Sequence, residues 1–371
     1  MLGRRLPELW IPYGPVETLV TVQAENLGTV VETRAEGESA PQESHGGLLG
    51  GVNSLFICDT APSTLELLRE LVPVITSAQG LRILCAIPKR VESGLPELRG
   101  RVSTLPPPIA TATDELTFAH ELGEAGSKLF VGTSRPDPLF GLVDSKVQAS
   151  LNWIANSHSA AAQERKEMEP SPFSKTSSYS KIEEFVESIH DARYATVVPR
   201  GGRLRSVLVD APFDAIKNLY ATSEVQPSKG MIVGAGGVGY DETLSMALRE
   251  VWTALPGLRK SGSLLLVAEC SEGLGSPALE MLATGRWTGD AGRKRGKYVE
   301  GLEEISYLNR LKEDYDVLLL SALPEVYAKS KLGLSTARGS GEAVGRLLNK
   351  AGRTARINVV GRASECRLAS G

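Results

Sequence analysis

The chain has 371 residues, which exceeds the size at which a single hydrophobic core stops growing, so two domains are expected. Its 41 basic and 44 acidic residues are mixed along the sequence and leave a net charge of −3, which favours neither nucleic acid nor a membrane as partner. Four widely spaced cysteines with no CxxC pair argue against a zinc site or a disulfide framework. The sequence shows neither a signal peptide nor a long apolar run, so we expect a cytoplasmic protein. The sequence does not determine its oligomeric state.

Short apolar runs alternate with helix-length segments along the chain. This pattern predicts an α/β fold of mostly parallel sheets flanked by helices. The segment TAPSTLELLRELVPVI predicts a helix capped by Ser63 or Thr64, with apolar residues at helical spacing. The expected strands, in chain order, are SLFIC, RILCAI, KLFVG, ATVV, SVLVD, MIV, LLLVA, VLLL and INVV.

Two features suggest where the chain divides. Residues 156–181 are polar, serine-rich and interrupted by two prolines, which predicts a long exposed connection or insertion. A helical stretch after Asp210 precedes Pro227, where the alternation of strands and helices restarts. We therefore expect an N-terminal domain of residues 1–224 and a C-terminal domain of residues 225–371.

The glycine run GAGGVGYDE follows the strand MIV and precedes a helix and the strand LLLVA. This order describes a βαβ unit whose backbone allows close approach of a ligand. The spacing of Gly234, Gly236 and Gly239 satisfies the dinucleotide fingerprint. Glu269 lies at the end of the next strand, where the fingerprint has the acidic residue that binds the ribose. A tight strand-to-helix turn needs the same glycines without any nucleotide, so both interpretations stay open.

The stretch from GGVGYDE to AECSEGLGS resembles the C-terminal domain of the nickel-dependent lactate racemase family. The opening ELWIPYGPVETLVTVQAENLGTVVE is similar to the family's first hairpin, and LFICDTAPST to its strand followed by Asp-x-Thr-Arg. The resemblance implies two α/β domains with a cleft between them and a nickel pincer nucleotide as cofactor. It also implies an isomerase that racemises or epimerises a 2-hydroxy acid with two histidine bases, since the pKa of imidazole lies near neutrality.

The resemblance also assigns roles to individual residues. Arg90 would bind substrate, and Lys89 and Arg249 would stand at catalytic positions, Arg249 also binding substrate. His158 would be the metal ligand, near the position of the family's nickel-binding histidine. The cofactor-binding residues it implies are Asp59, Thr60, Lys146, Gly236 and Gly237.

The chain departs from the family at the residues that carry the chemistry. Lys89 stands where the first catalytic histidine is expected, and Pro136 falls where the second belongs. No arginine follows Asp59 in the motif, so the bidentate carboxylate fork is missing. Arg249 keeps a cation suited to a carboxylate or phosphate.

Three functions remain open. The first is a racemase or epimerase that uses the pincer cofactor. The second is a non-catalytic or repurposed relative that binds a small anionic ligand or a nucleotide in the interdomain cleft, because a fold alone does not fix a function. The third is an NAD-linked oxidoreductase built on the glycine fingerprint.

Overall fold

The computed structural model describes residues 7–32, 45–104, 126–153, 170–187, 189–287 and 299–371. The strands are β1 (Glu8–Tyr13), β2 (Val16–Thr21), β3 (Leu27–Val31), β4 (Ser54–Ile57), β5 (Arg82–Cys85), β6 (Val102–Thr104), β7 (Lys128–Thr133), β8 (Arg135–Asp137), β9 (Gly141–Val143), β10 (Ala192–Arg200), β11 (Arg203–Val209), β12 (Thr222–Val225), β13 (Ser228–Gly234), β14 (Leu258–Val267), β15 (Asp316–Leu320), β16 (Ser335–Ala337), β17 (Ile357–Val360) and β18 (Arg367–Ser370). Each strand expected from the apolar runs coincides with one of these, and four of the runs extend one or two residues past the end of the strand.

Helices fill the connections between the strands. The α-helices are α1 (Pro62–Ser77), α2 (Pro88–Gly94), α3 (Ser145–Trp153), α4 (Ser177–Glu187), α5 (Phe213–Lys217), α6 (Leu244–Glu250), α7 (Pro277–Ala283), α8 (Leu302–Asp314) and α9 (Ser340–Ala351). Short 3₁₀ turns lie at His45–Leu49, Pro96–Leu98, Val251–Thr253, Leu255–Gly257 and Ala363–Glu365, and a π-helix at Val326–Lys331. The α/β fold with mostly parallel sheets is thus confirmed.

The chain divides into two compact units. One, the middle unit, comprises residues 34–219, and the other, the composite unit, combines residues 1–33 with residues 220–371. The division at residues 219/220 lies close to the expected boundary at 225. The division at residues 33/34 was not expected, because residues 1–33 were assigned to the N-terminal domain of residues 1–224. The reason is that β3 pairs with β17, while Ile11 and Val20 of the first hairpin lie in the hydrophobic core of the composite unit.

The sheet of the composite unit is six-stranded and parallel, in the order β16-β15-β14-β13-β17-β3. Its central strands are buried apolar runs, as expected for a parallel sheet covered on both faces. From β13 the chain builds outward through β14 and β15 to β16, and α9 then returns it to β17 on the other side of β13. The strand order therefore reverses between β13 and β17.

The middle unit repeats this arrangement. Its sheet has the order β11-β10-β7-β4-β5-β6 and is parallel except for the β10–β11 hairpin. The hairpin turns at Gly201 and Gly202, both at positive φ, which is the conformation a tight two-residue turn requires. The order reverses between β4 and β7, where α1 packs its buried Leu67 and Leu71 against the core that also holds Leu55 of β4.

The polar segment expected as a connection is only partly described. Residues 154–169 lie outside the described ranges, whereas residues 177–181 form the start of α4. The expectation of a loop fails there because Tyr179 and Ile182 follow helical spacing and bury their side chains. No helix in the described ranges is long and apolar enough to cross a membrane.

The first hairpin should contribute to the stability of the composite unit. Ile11 is 1% exposed and lies against Gly234, so Ile11→Ala should lower the free energy of unfolding by about 2–5 kcal/mol by leaving a cavity. Urea denaturation of the full chain, followed by circular dichroism, measures this loss. The control Glu17→Ala, on the exposed part of the same hairpin, should change it by about 0.5 kcal/mol or less. Equal effects of the two substitutions would show that the hairpin does not belong to this core.

Candidate ligand site

In the middle unit the strand order reverses between β4 and β7, and by topology such a reversal forms a crevice at the carboxyl edge, the side on which the parallel strands end. Such a crevice is where open α/β sheets bind ligands. Asp59 follows β4 there, and its Oδ2 accepts a hydrogen bond from the main-chain N of Thr133 at 2.6 Å. Its Oδ1 accepts one from the N of Ala61 at 3.0 Å. Asp59, predicted to bind a cofactor, therefore also ties the turn after β4 to the end of β7.

The hydroxyl groups expected to cap α1 form hydrogen bonds with a residue of β7 instead. The helix begins after Ala61, and within the described residues no side chain caps it. Ser63 and Thr64 instead place their hydroxyls 2.8 Å and 2.6 Å from the hydroxyl of Thr133. The prediction of a Ser63 or Thr64 cap is wrong because the buried hydroxyl of Thr133 bonds to both. The 16-residue helix thus has no side-chain cap on its first turn, and the carboxylate of Asp59, bonded to the N of Ala61, lies at its positive end.

Helix α3 also contacts the crevice. Gln148 donates from Nε2 to the carbonyl of Thr133 at 2.7 Å, and Asn152 donates from Nδ2 to the carbonyl of Cys58 at 2.6 Å. The Oε1 of Gln148 is buried and has no hydrogen-bond partner within the described part of the chain. Amide and hydroxyl groups therefore form the inner wall of the crevice, and sequence reasoning had assigned none of them to a site.

Lys146, the residue predicted to carry the cofactor, lies in the first turn of α3. Its side chain is mostly buried, and its Nζ is 3.9 Å from Oε1 of Glu183. The other oxygen of Glu183 accepts from the Nζ of Lys175 at 2.5 Å. Lys146 thus belongs to an ion-pair network within the middle unit.

Next to Lys146 is a buried pair that sequence reasoning missed. Asp144 accepts from the main-chain N of Val147 at 2.9 Å and from the hydroxyl of Tyr179 at 2.7 Å. Burial raises the pKa of Asp144, and the hydrogen bonds and the charge of Lys146 offset this only in part. Burial, followed by the charge of Asp144, raises the pKa of Tyr179 as well. The available signal was the segment VDSK, in which an aspartate precedes a helix start.

Lys89 and Arg90 reach the same edge from the neighbouring strand. They lie in the first turn of α2, directly after β5, which pairs with β4. Lys89 is exposed and Arg90 is half-buried. The structure therefore brings the predicted Asp59, Lys89 and Lys146 to one edge of one sheet, with Thr60 half-buried in the turn beside Asp59.

In the composite unit, the space beside the glycine turn is filled by other residues of the chain. A Cβ at Gly236 would overlap the Oγ of Ser364, and one at Gly237 would lie 3.0 Å from the Cβ of Pro12. Both glycines have positive φ values, +145° and +83°. The close approach they permit is therefore made by the chain's own residues, which favours the nucleotide-free interpretation of the fingerprint.

The two segments that carry the family resemblance are bonded to each other. Asp241 accepts from the N of Gly14 at 2.9 Å and from the N of Glu269 at 3.3 Å, while its carbonyl accepts from the N of Cys270 at 2.7 Å. Burial raises the pKa of Asp241, and burial raises that of the adjacent Tyr13 to about 12. These motif residues hold the first hairpin against the glycine turn.

Arg249, predicted to bind substrate, forms ion pairs inside the composite unit. Its Nη2 lies 2.7 Å from Oε1 of Glu304 and 3.4 Å from Oε1 of Glu303, both buried in α8. Ser245 also donates to Glu304. Burial and the charge of Glu304 raise the pKa of Glu300. The positive charge of Arg249 is thus compensated by carboxylates of its own unit.

The described residues place no histidine at the carboxyl edge, where the resemblance implies the nickel pincer nucleotide. None of their His, Cys, Asp and Glu side chains form a group of three or more arranged to hold a metal ion. The two histidines in the described ranges, His45 and His190, precede β4 and β10 and so belong to the opposite, amino edge. Pro136 lies in β8, where the resemblance placed the second histidine. The predicted metal ligand His158 lies outside the described residues.

Comparisons with known proteins support the fold. No family model matches the sequence, and no curated protein does. The lactate racemase apoprotein of Thermoanaerobacterium thermosaccharolyticum superposes with a TM-score of 0.69 at 14% identity, covering 98% of this chain and 100% of that one. A structural genomics target from Thermotoga maritima superposes with a TM-score of 0.52 at 13% identity, covering 86% and 94%. The chain therefore has a lactate racemase-like fold.

Removing the charge of Arg249 should destabilise the composite unit, because the buried carboxylates of α8 would lose their cation. We expect Arg249→Met to lower the free energy of unfolding by about 3–5 kcal/mol at pH 7. Arg346→Met, at a half-exposed ion pair with Glu342, is the control and should cost about 1 kcal/mol or less. Equal losses in urea denaturation would mean that Arg249 has no structural role.

The raised pKa of Asp144 gives a pH-dependent prediction. The folded state holds a proton that the unfolded chain releases above the ordinary value of 3.8, so this carboxyl group contributes less stability as the pH rises. Asp144→Asn keeps the acceptor oxygen but removes the titration. As the pH rises from 4.5 to 7.5, the unsubstituted protein should lose stability that the variant keeps. The free energy of unfolding of the variant minus that of the unsubstituted protein should therefore increase, by at most about 1.4 kcal/mol per pH unit. A constant difference across parallel denaturation curves would contradict the burial argument.

Proposed function

We propose that this protein is a divergent relative of the nickel-pincer-nucleotide-dependent lactate racemases that keeps their fold and binds a small anionic ligand at the carboxyl edge of the middle unit. It does so without racemising a 2-hydroxy acid. The fold likeness over nearly the whole chain and the two motif segments support the kinship. The departures at the positions of both histidines support the loss of the reaction.

The observation that carries the proposal is the reversal of strand order between β4 and β7. That reversal forms a crevice by topology, and the positive end of α1 lies beside it. Lys89 and Arg90 reach the same edge from the end of β5. The only nearby carboxylate named by the motif, Asp59, already accepts two main-chain hydrogen bonds. This combination favours an anion.

The racemase chemistry lacks its base. An ammonium group donates hydrogen bonds but offers no acceptor, so Lys89 can bind an anion and does not replace an imidazole that removes a hydroxyl proton. Arg249, the cation expected to hold the substrate carboxylate, is compensated by Glu303 and Glu304. Binding is therefore better supported than proton transfer.

One observation favours the racemase as a second candidate. Lys146 keeps its place in the first turn of a helix at the carboxyl edge, where the family resemblance puts the cofactor-bearing lysine. An active racemase or epimerase would carry nickel and a covalent adduct on this residue. The NAD-linked alternative receives no such support, because Ser364 and Pro12 occupy the space beside the glycine turn.

The proposal predicts anion binding without nickel. The full chain, purified after coexpression with the cofactor biosynthesis enzymes, should contain no stoichiometric nickel by elemental analysis and an unmodified Lys146 by mass spectrometry. Phosphate or lactate titrated by calorimetry at low salt should bind saturably, and Lys89→Ala should weaken that binding about tenfold, because a hydrogen bond to a charged group is lost.

Lys217→Ala, on α5 of the same unit, is the matched control and should leave the affinity unchanged. Nickel together with an adduct on Lys146 would establish the racemase instead. Anion binding that is insensitive to Lys89→Ala would reject the proposed site.

A further inference from the structure

The β10–β11 hairpin extends beyond the candidate site. Strand β10 pairs with β7 as far as Val197, opposite Thr133, but continues to Arg200 before it turns. The end of the hairpin, here called the arginine tip (residues 198–205), therefore projects past the carboxyl end of β7. This is the edge at which the crevice opens.

The arginine tip concentrates positive charge. Arg200 and Arg203 are directly opposite each other across the two strands, and Arg205 is the extra residue at a register shift. Like charges directly opposite in a sheet are destabilising. Within the described residues, none of these three guanidinium groups has a hydrogen-bond or ion-pair partner. One carboxylate of the chain lies at the tip, since Oε2 of Glu66 accepts a hydrogen bond from the main-chain N of Leu204 at 2.8 Å. A single carboxylate does not balance three guanidinium groups, so the tip keeps a net positive charge.

Strand alternation places this charge on a particular face. Ala195 and Val197 belong to the core that holds α1, so Thr196 and Arg200 point to the other face. The hydroxyl of Thr196 lies 2.7 Å from that of Ser145, the first residue of α3. Arg200 and its partner Arg203 therefore share the face on which α3 carries Lys146.

We propose that Arg200 and Arg203 form a phosphate-binding arm of the ligand site, which makes the ligand a phosphorylated small molecule. This inference rests on the function proposed above and specifies its ligand. Two opposed guanidinium forks match a phosphate dianion, which offers three acceptor oxygens and enough charge to neutralise both. A single carboxylate would neutralise only one of them.

Edge strands also carry charge to prevent self-association, and β11 is an edge strand with a bulge. That role makes a different prediction, because it concerns the oligomeric state and not anion affinity. The two roles can therefore be separated by experiment.

The test is a titration of the full chain with inorganic phosphate at pH 8 and low salt, followed by ³¹P nuclear magnetic resonance. We expect the double substitution Arg200→Gln, Arg203→Gln to weaken saturable binding by about tenfold or more. Arg99→Gln, Arg101→Gln is the matched control. It removes the same charge from the same sheet, but from the residues preceding β6, at the amino edge, and should change the affinity less than about twofold.

Equal weakening by both double substitutions would show a general charge effect and overturn the inference, as would absence of saturable phosphate binding in the unsubstituted protein. Self-association of the tip variant in light scattering, with unchanged affinity, would assign the arginines to edge protection. If Lys89→Ala weakens phosphate binding and the tip variant does not, the ligand site stands and the phosphate arm is rejected. Weakening by the tip variant alone would reject the ligand site at Lys89, and with it the inference that the arginines are the phosphate-binding arm of that site.

Discussion

The buried carboxylate of Asp241 is the contact on which the composite unit depends. It accepts main-chain hydrogen bonds from Gly14 of the first hairpin and from Glu269 after β14, two segments far apart in sequence. Burial raises its pKa, and these two bonds, both to Oδ2, offset that cost only in part, since Oδ1 has no hydrogen-bond partner within the described residues. Asp241 therefore links the first hairpin, the glycine turn and the end of β14.

This contact gives the motif segments that resemble the lactate racemase family a structural role of their own. The segments around Gly237 and Cys270 are bonded to each other and to the hairpin, so any change in them disturbs packing. Lys89, in contrast, is exposed at the start of a short helix, and its replacement disturbs little. The resemblance therefore rests on residues that hold the fold, whereas an activity would depend on residues that contribute little to it.

The sequence predicts local features well and distant partners poorly. The strands and the span of α1 follow from apolar runs and spacing, which are local signals. The role of Ser63 was mispredicted because Thr133, its partner, is seventy residues away in the chain. The prediction that Arg249 binds substrate has the same origin, because its ion-pair partner Glu304 lies in another helix. Only the tertiary structure shows which charges are already compensated.

The pairing of β3 with β17 has a consequence for synthesis of the chain. Domains fold as units while the polypeptide leaves the ribosome. The middle unit is complete once residue 219 has emerged, whereas β3 must wait for β17, more than three hundred residues later. Strand β3 therefore remains without its sheet until β17 has been made, so the composite unit closes after the middle unit.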